Sequence, residues 1–405
     1  MLKTRVTWRP LPSDAATTSL EPFGLTIEAT YFPVQGRCDP RFEAVREAFE
    51  ANFRSGADVG ASVALTLDGE LAVDLWGGAK DAARTAPWEQ DTIAWVASTT
   101  KTALALSALL LADRGELDPD APVARYWPTF QSKDVLVRHC LGHTAGMPGW
   151  DGRVRFDDLG DWDKLTGMLA AQTPWWEPGT ASGYHGLTQG YLVGEIIRRI
   201  TGQTVGTFFA GEIAGPLGAD FHIGLKQADD HRVAESIPPA VPEAPVGGPD
   251  GFGMRLFNNP PLPRDRMAET WFRRVEIPAG NGIGAARAVA RFNALLACGG
   301  EVGGKRLMSP EGARRVLRQQ SDGPDLVFLA PVEFGLGFAL ALAGMSFDGH
   351  EVCFWGGSGG SLIVVDFTAR MTLAYVMSKL EGSPFGDPRN SAILRAAYRG
   401  LTGAH

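Results

Sequence analysis

Ala97-Ser98-Thr99-Thr100-Lys101 leads into Thr102-Ala103-Leu104-Ala105-Leu106-Ser107-Ala108-Leu109-Leu110-Leu111-Ala112. The second part is apolar on nearly every side, which predicts a buried helix running on to Arg114. A serine at a helix start commonly serves as the N-cap. The spacing opens another reading. Residues i and i+3 share one helical face, so the Lys101 nitrogen can reach the Ser98 hydroxyl. Burial beside a positive helix N-terminus pushes an amine's pKa down, and a neutral amine can accept the serine proton. Lysine is scarce in this chain, so composition alone would supply such a pair less than once.

Outward from that helix, Phe42, Val45, Phe49 and Phe53 recur at helical spacing between residues 40 and 54. Ala61 to Leu67 and Glu70 to Leu75 read as strands. The Asp68-Gly69 pair between them is a hairpin signal. Further strand-like runs lie near the end, at Glu351 to Phe354, Ser361 to Asp366 and Met371 to Met377. Residues 116–275 read as helix and loop. The pattern predicts an α+β fold: an antiparallel sheet built from both ends of the chain and flanked by helices, with a mostly helical insertion. The expected division is a discontinuous α/β domain, 1–115 with 276–405, and a helical domain, 116–275. Active sites often occupy the cleft between two such lobes.

Composition narrows the function classes. With 44% hydrophobic and 21% charged residues, the chain can bury an ample core. Its four cysteines lack metal-site spacing, so no metal and no disulfide framework is expected; reduced thiols point to the cytoplasm. Met1 to Asp14 lacks the apolar core of a signal peptide, and no apolar run is long enough for a membrane span. The net charge is −8 and basic residues do not cluster, which argues against nucleic acid as a partner. A homo-oligomer is compatible with all of this.

Ser98-Thr99-Thr100-Lys101 resembles the first motif of the serine β-lactamase and penicillin-binding-protein superfamily. Pro174 to Gly179, followed by Ser182-Gly183-Tyr184-His185-Gly186, is similar to the stretch carrying its second motif, Tyr-x-Asn. Trp355-Gly356-Gly357 stands where Lys-Thr-Gly belongs. Leu141 to Gly146 and Asn281-Gly282-Ile283-Gly284 resemble two further signatures, so the likeness runs from about residue 40 to 400 in the expected order. Two positions depart from a β-lactamase. Trp355 cannot bind a substrate carboxylate as the motif lysine does, and Gly186 has no side chain for a substrate amide. That pattern is similar to the family VIII carboxylesterases.

The resemblance implies a β-lactamase-like fold and a serine carboxylesterase acting on small or short-chain esters without a cofactor. Ser98 is the implied nucleophile, and Lys101 and Tyr184 share the proton transfers. The backbone N–H groups of Ser98 and Ser358 form the implied oxyanion hole. Trp355, Gly356, Gly357, His185 and Asn281 are the candidates to touch substrate, with packing behind the site as the alternative for His185 and a position off the cleft as the alternative for Asn281. A β-lactamase or D-amino-acid peptidase, an acyltransferase, and a non-catalytic binder are the competing readings.

Gly356-Gly357-Ser358-Gly359-Gly360 also matches the Gly-x-Ser-x-Gly elbow of α/β-hydrolases. That motif needs a helix after it, whereas Ser361 to Asp366 reads as a strand, and the sole downstream histidine is His405. Ser358 is therefore not expected to be the nucleophile. His143 and His350 are read as structural and Tyr191 as core. Of Trp150, Trp175, Trp176, Phe252, Phe257 and Trp271, about two are expected at the site.

Overall fold

The computed structural model describes residues 32–239, 251–263, 266–342, 347, 349–381 and 386–403. The expectations for Met1 to Asp14 and for His405 lie outside the described residues. The Asp68-Gly69 hairpin joins β2 (Gly60–Leu67) to β3 (Glu70–Gly78). Asp68 and Gly69 both have positive φ, 52° and 84°, as a two-residue hairpin turn matched to strand twist requires.

At the other end of the chain, β6 (Val352–Gly356), β7 (Leu362–Asp366) and β8 (Met371–Met377) form an antiparallel meander. β8 pairs antiparallel with β2, Tyr375 opposite Val63, so the two chain ends close one sheet. Three strands of this sheet were not anticipated from the sequence: β1 (Gln35–Cys38), β4 (Val332–Phe334) and β5 (Ala339–Leu342). They complete an eight-stranded sheet in the order β1-β3-β2-β8-β7-β6-β5-β4.

Alternation along β8 sorts the helices onto the two faces. The Thr372 hydroxyl donates to Ala290 O of the helix Ala286–Ala297. Tyr375, three residues on, faces Arg389 at the start of the C-terminal helix Pro388–Thr402. That helix packs against the helix Glu43–Arg54. The helix Lys101–Asp113 is buried at every residue from Lys101 to Ala112 and packs against the helix Thr188–Thr201. Among the described residues, no helix is long and apolar enough to cross a membrane, and no group of three or more His, Cys, Asp or Glu is arranged to hold a metal ion.

Candidate active site

Ser98 sits in a single 3-10 turn, Ala97–Thr100, that feeds the buried helix. Ala97 has φ 46°, a left-handed conformation costly for a residue with a Cβ. The surroundings hold it there. The Thr100 hydroxyl donates to Ala97 O and accepts from Gly282 N, while the Thr99 and Ser361 hydroxyls are 2.9 Å apart. Ser98 is not a cap: its Oγ lies 2.6 Å from the Tyr184 hydroxyl.

Lys101 Nζ lies 3.4 Å from the same Oγ. It donates to Gly186 O and to Ala279 O, each at 2.7 Å. The lysine is 1% exposed and forms no ion pair among the described residues. Burial therefore drives its pKa well below the ordinary lysine value. A neutral amine has two N–H bonds and one lone pair; with both N–H bonds taken by carbonyls, the lone pair is left for Ser98.

Tyr184 is held as a phenol. Burial pushes its pKa up, outweighing the effect of the hydrogen bond it shares with Ser98. Its backbone N–H donates to Asp325 Oδ1, and its ring stacks on Phe328 at 4.7 Å. Asp325 also accepts from Val327 N and Phe328 N, which fixes the stacking partner. Neither Asp325 nor Phe328 belongs to a recognisable motif, and the sequence reading missed both.

These groups open onto a cavity of about 970 Å³ whose wall includes Ser98, Tyr184, Trp355, Gly356, Gly357 and Ser358. The Trp355 ring lies 5.6 Å from that of Tyr184. Gly357 packs against Val96 and Ala97, so the glycine run brings the Ser358 backbone beside the turn carrying Ser98. Of the six middle-segment aromatics, Trp150 and Phe257 line the cavity. Trp175 and Trp176 pack on Phe252, and Trp271 packs on Phe156.

Two candidates do not reach the cavity. His185 is fully buried behind it: Nδ1 donates to Gly183 O and Nε2 accepts from Met147 N. Burial lowers its pKa to about 3, so it is a neutral strut. Its backbone N–H donates to Nδ1 of the equally buried His143. Asn281 also turns inward. Its Oδ1 accepts from Ile277 N and its Nδ2 donates to Phe272 O and Val275 O. It shapes the loop whose Ala279 carbonyl receives Lys101. Tyr191 is buried with its hydroxyl on Leu159 O, and His350 pairs with Asp366.

A side chain on Gly186 would point at Leu256 of the helix Phe252–Phe257: a Cβ built there stands 3.4 Å from both Leu256 methyls. The space next to the second motif is thus filled by hydrocarbon. Leu256 lies about seventy positions further along the chain in a loop-rich stretch, and no spacing signal marks it.

The Beta-lactamase family model matches residues 46–398. The esterase/beta-lactamase LipL of Mycobacterium tuberculosis is 36% identical over 368 residues, covering 86% of this chain and 83% of that protein. A solved family VIII carboxylesterase superimposes with a TM-score of 0.86 at 40% identity, covering 91% of this chain and all of the other. A penicillin-binding protein homologue from Caulobacter crescentus gives 0.85 at 37% identity, again covering 91% of this chain and all of that one.

Proposed function

The chain belongs to the Beta-lactamase family, and from that premise we propose that it hydrolyses carboxylic esters through an acyl-enzyme on Ser98. Its esterase relatives and their fold support ester hydrolysis by a serine enzyme. The observation that carries the residue assignment is the contact of one hydroxyl, Ser98, with both a buried amine and a buried phenol.

Ser98 Oγ attacks the ester carbonyl, and its proton passes to the neutral Lys101 amine. The oxygen of the tetrahedral intermediate takes the negative charge and lies against the Ser98 and Ser358 backbone N–H groups, which are worth a few kcal/mol in a dry site, roughly a hundredfold in rate. The C–O bond to the alcohol breaks, and the leaving oxygen takes a proton delivered through the Tyr184 hydroxyl. Water then attacks the acyl-enzyme, gives its proton to the same pair, and releases the acid and Ser98. The pKa directions suit this division: the lysine is poised to accept a proton and the tyrosine to keep one until it is needed.

Preference for esters over lactams or peptides rests on Trp355 in place of a cation and on Leu256 beside Gly186. The wall is largely aliphatic and aromatic, with Leu187, Ile277, Phe328 and Leu362 among its residues. About 970 Å³ is at the upper end for small-molecule sites, so short-chain esters fit with space remaining. The four cysteines are free, three of them buried, which supports a cytoplasmic setting.

The decisive experiment is a p-nitrophenyl ester panel, acetyl to decanoyl, run beside nitrocefin, with fluorophosphonate labelling of the same protein. Ester turnover with labelling confined to the Ser98 peptide is expected. A higher kcat/KM for nitrocefin, or labelling at Ser358 instead, would overturn the reading.

A further inference from the structure

Behind the oxyanion turn lies a buried ionic cluster that the mechanism above does not use. Arg389 is 2% exposed, Asp58 is fully buried and Asp387 is 3% exposed. All five guanidinium N–H groups of Arg389 have acceptors. Nε donates to both Asp387 oxygens, Nη1 to Asp58 Oδ1 and Lys379 O, and Nη2 to Asp387 Oδ2 and Gly359 O. The Tyr375 hydroxyl holds the other Asp58 oxygen at 2.6 Å. Taking such charges out of water is costly, and an ion pair of this kind is weak evidence for stability. Its geometry has a different use.

Two of the cluster's donors grip consecutive carbonyls of one turn. Arg389 Nη2 reaches Gly359 O at 2.7 Å, and the neighbouring Asn390 Nδ2 reaches Gly360 O at 2.9 Å. Gly359 and Gly360 have φ of 101° and 117°, open to glycine and strained for any other residue. A Cβ on Gly360 would lie 2.2 Å from Asp387 Oδ2, so the backbone is pressed onto the cluster. On the opposite side Ser361 Oγ donates to Val96 O at 2.8 Å and meets Thr99 Oγ1. The turn is thus stapled to the residues flanking Ser98 on one side and clamped by the helix Pro388–Thr402 on the other.

We infer that Arg389 and Asn390 are positioning residues for ester hydrolysis: they hold the Gly357–Ser361 turn so that the Ser358 backbone N–H keeps its distance from the oxygen of the tetrahedral intermediate. The inference rests on the reading of Ser98 as nucleophile and of Ser358 N–H as oxyanion donor. Arg389 lies off the cavity; Asn390 borders it, but in this role it acts through the turn and not on substrate, which is why KM is read beside kcat. An oxyanion donor acts only when it is fixed before the charge develops, and a turn rich in glycine cannot fix itself. The buried charges supply that rigidity from the scaffold, as a supporting shell does for a site built on loops.

The test uses the full chain with Arg389→Lys, with Asn390→Ala and the volume-keeping Asn390→Leu, and with Ser361→Ala for the opposite tether. Three readouts are needed: kcat and KM on p-nitrophenyl butyrate, the inhibition constant of a boronic acid that mimics the tetrahedral adduct, and the fluorophosphonate labelling rate at Ser98. In each variant kcat and the labelling rate fall about tenfold and boronate binding weakens by about the same factor, while KM stays within about twofold. A merely structural residue would lower the melting temperature and leave these ratios alone. Wild-type kcat and labelling in the Arg389 and Asn390 variants would overturn the positioning role while leaving the nucleophile assignment standing; where Arg389→Lys does not fold, the two Asn390 variants decide it. Absence of Ser98 labelling in the wild type would overturn the nucleophile assignment and this role with it.

Discussion

Gly357 lies so close to Val96 that a Cβ on it would stand 2.3 Å from the Val96 carbonyl oxygen and 2.4 Å from Ser361 Oγ. Real Cβ atoms do not approach backbone that closely, so a side chain here must push the turn away from Ser98. Gly357→Ala is expected to lower kcat about a hundredfold, the cost of losing one oxyanion donor, with a smaller change in KM. Steady-state kinetics on p-nitrophenyl butyrate checks it, and an alanine variant with unchanged kcat would show that the contact is not needed for the reaction.

In the proposed mechanism Lys101 sets the pH response of activity. It must be neutral to accept the Ser98 proton, and burial has moved its pKa well down. The kcat/KM profile should therefore rise with pH through that lowered value and then level off. Lys101→Arg, which keeps the charge at all accessible pH, should lose activity by about a thousandfold or more, on the scale of general-base loss. Tyr184→Phe removes the other partner of Ser98 Oγ and should cost about a hundredfold or more. A flat profile in the wild type down to acid pH would contradict the role of the amine.

The same lysine predicts the pH dependence of stability. Its folded pKa is depressed, so between that value and the ordinary 10.5 the unfolded chain binds the proton and the folded chain does not. Unfolding free energy then rises with pH across that window, because the unfolded state carries more protons. The penalty is fully present below the folded pKa and gone above 10.5. Lys101→Met should flatten this slope, as read by urea unfolding at a series of pH values. An equal slope in wild type and variant would assign it to other groups.

The parts of this site that are local in sequence were legible. Asp68-Gly69 marks its hairpin because two positive φ values are a demand on two adjacent residues. Ser98 and Lys101 mark theirs because three positions make one helical turn. What failed was long-range. Gln35–Cys38 pairs as an edge strand with β3 although its residues are poor strand formers. Asn281 is a candidate for the cleft or for packing off it on sequence alone, and three nearby backbone groups, Phe272 O, Val275 O and Ile277 N, take its whole side chain. His185 adjoins Tyr184 in sequence, and successive side chains of an extended segment point apart. Leu256 and Arg389 act on the site through contacts that no periodicity announces.

Asn281 points away from the cavity and still bears on function. Asn281→Ala removes three hydrogen bonds, two of them wholly buried, and leaves Ile277 N and two carbonyls unpaired. A loss of about 3 kcal/mol in unfolding free energy is expected. The loop also presents Ala279 O to Lys101, so its relaxation should lower kcat by shifting the amine. Urea unfolding and kinetics on one preparation separate the effects. Full stability in Asn281→Ala would contradict the strut.

The Gly186–Leu256 contact makes the sharpest statement about substrate choice. Asparagine at position 186 would carry its amide into the volume held by the two Leu256 methyls, since even its Cβ stands 3.4 Å from both. Either Leu256 or the loop must then yield to the amide, and where the loop yields the Gly186 carbonyl that Lys101 uses shifts with it. Overpacking of this kind costs about 1–3 kcal/mol, and ester turnover in Gly186→Asn should fall about tenfold or more. Leu256→Ala in the same chain frees the space, so the double variant should recover much of the ester activity and turn over nitrocefin faster than the wild type, because an amide-binding group now faces the cavity. The comparison is kcat/KM for p-nitrophenyl butyrate and nitrocefin across wild type, both single variants and the double. If Gly186→Asn alone kept full ester activity, Leu256 would not be what excludes a side chain there; if the double variant recovered nothing, the damage would lie in the backbone at Gly186 and not in the crowding.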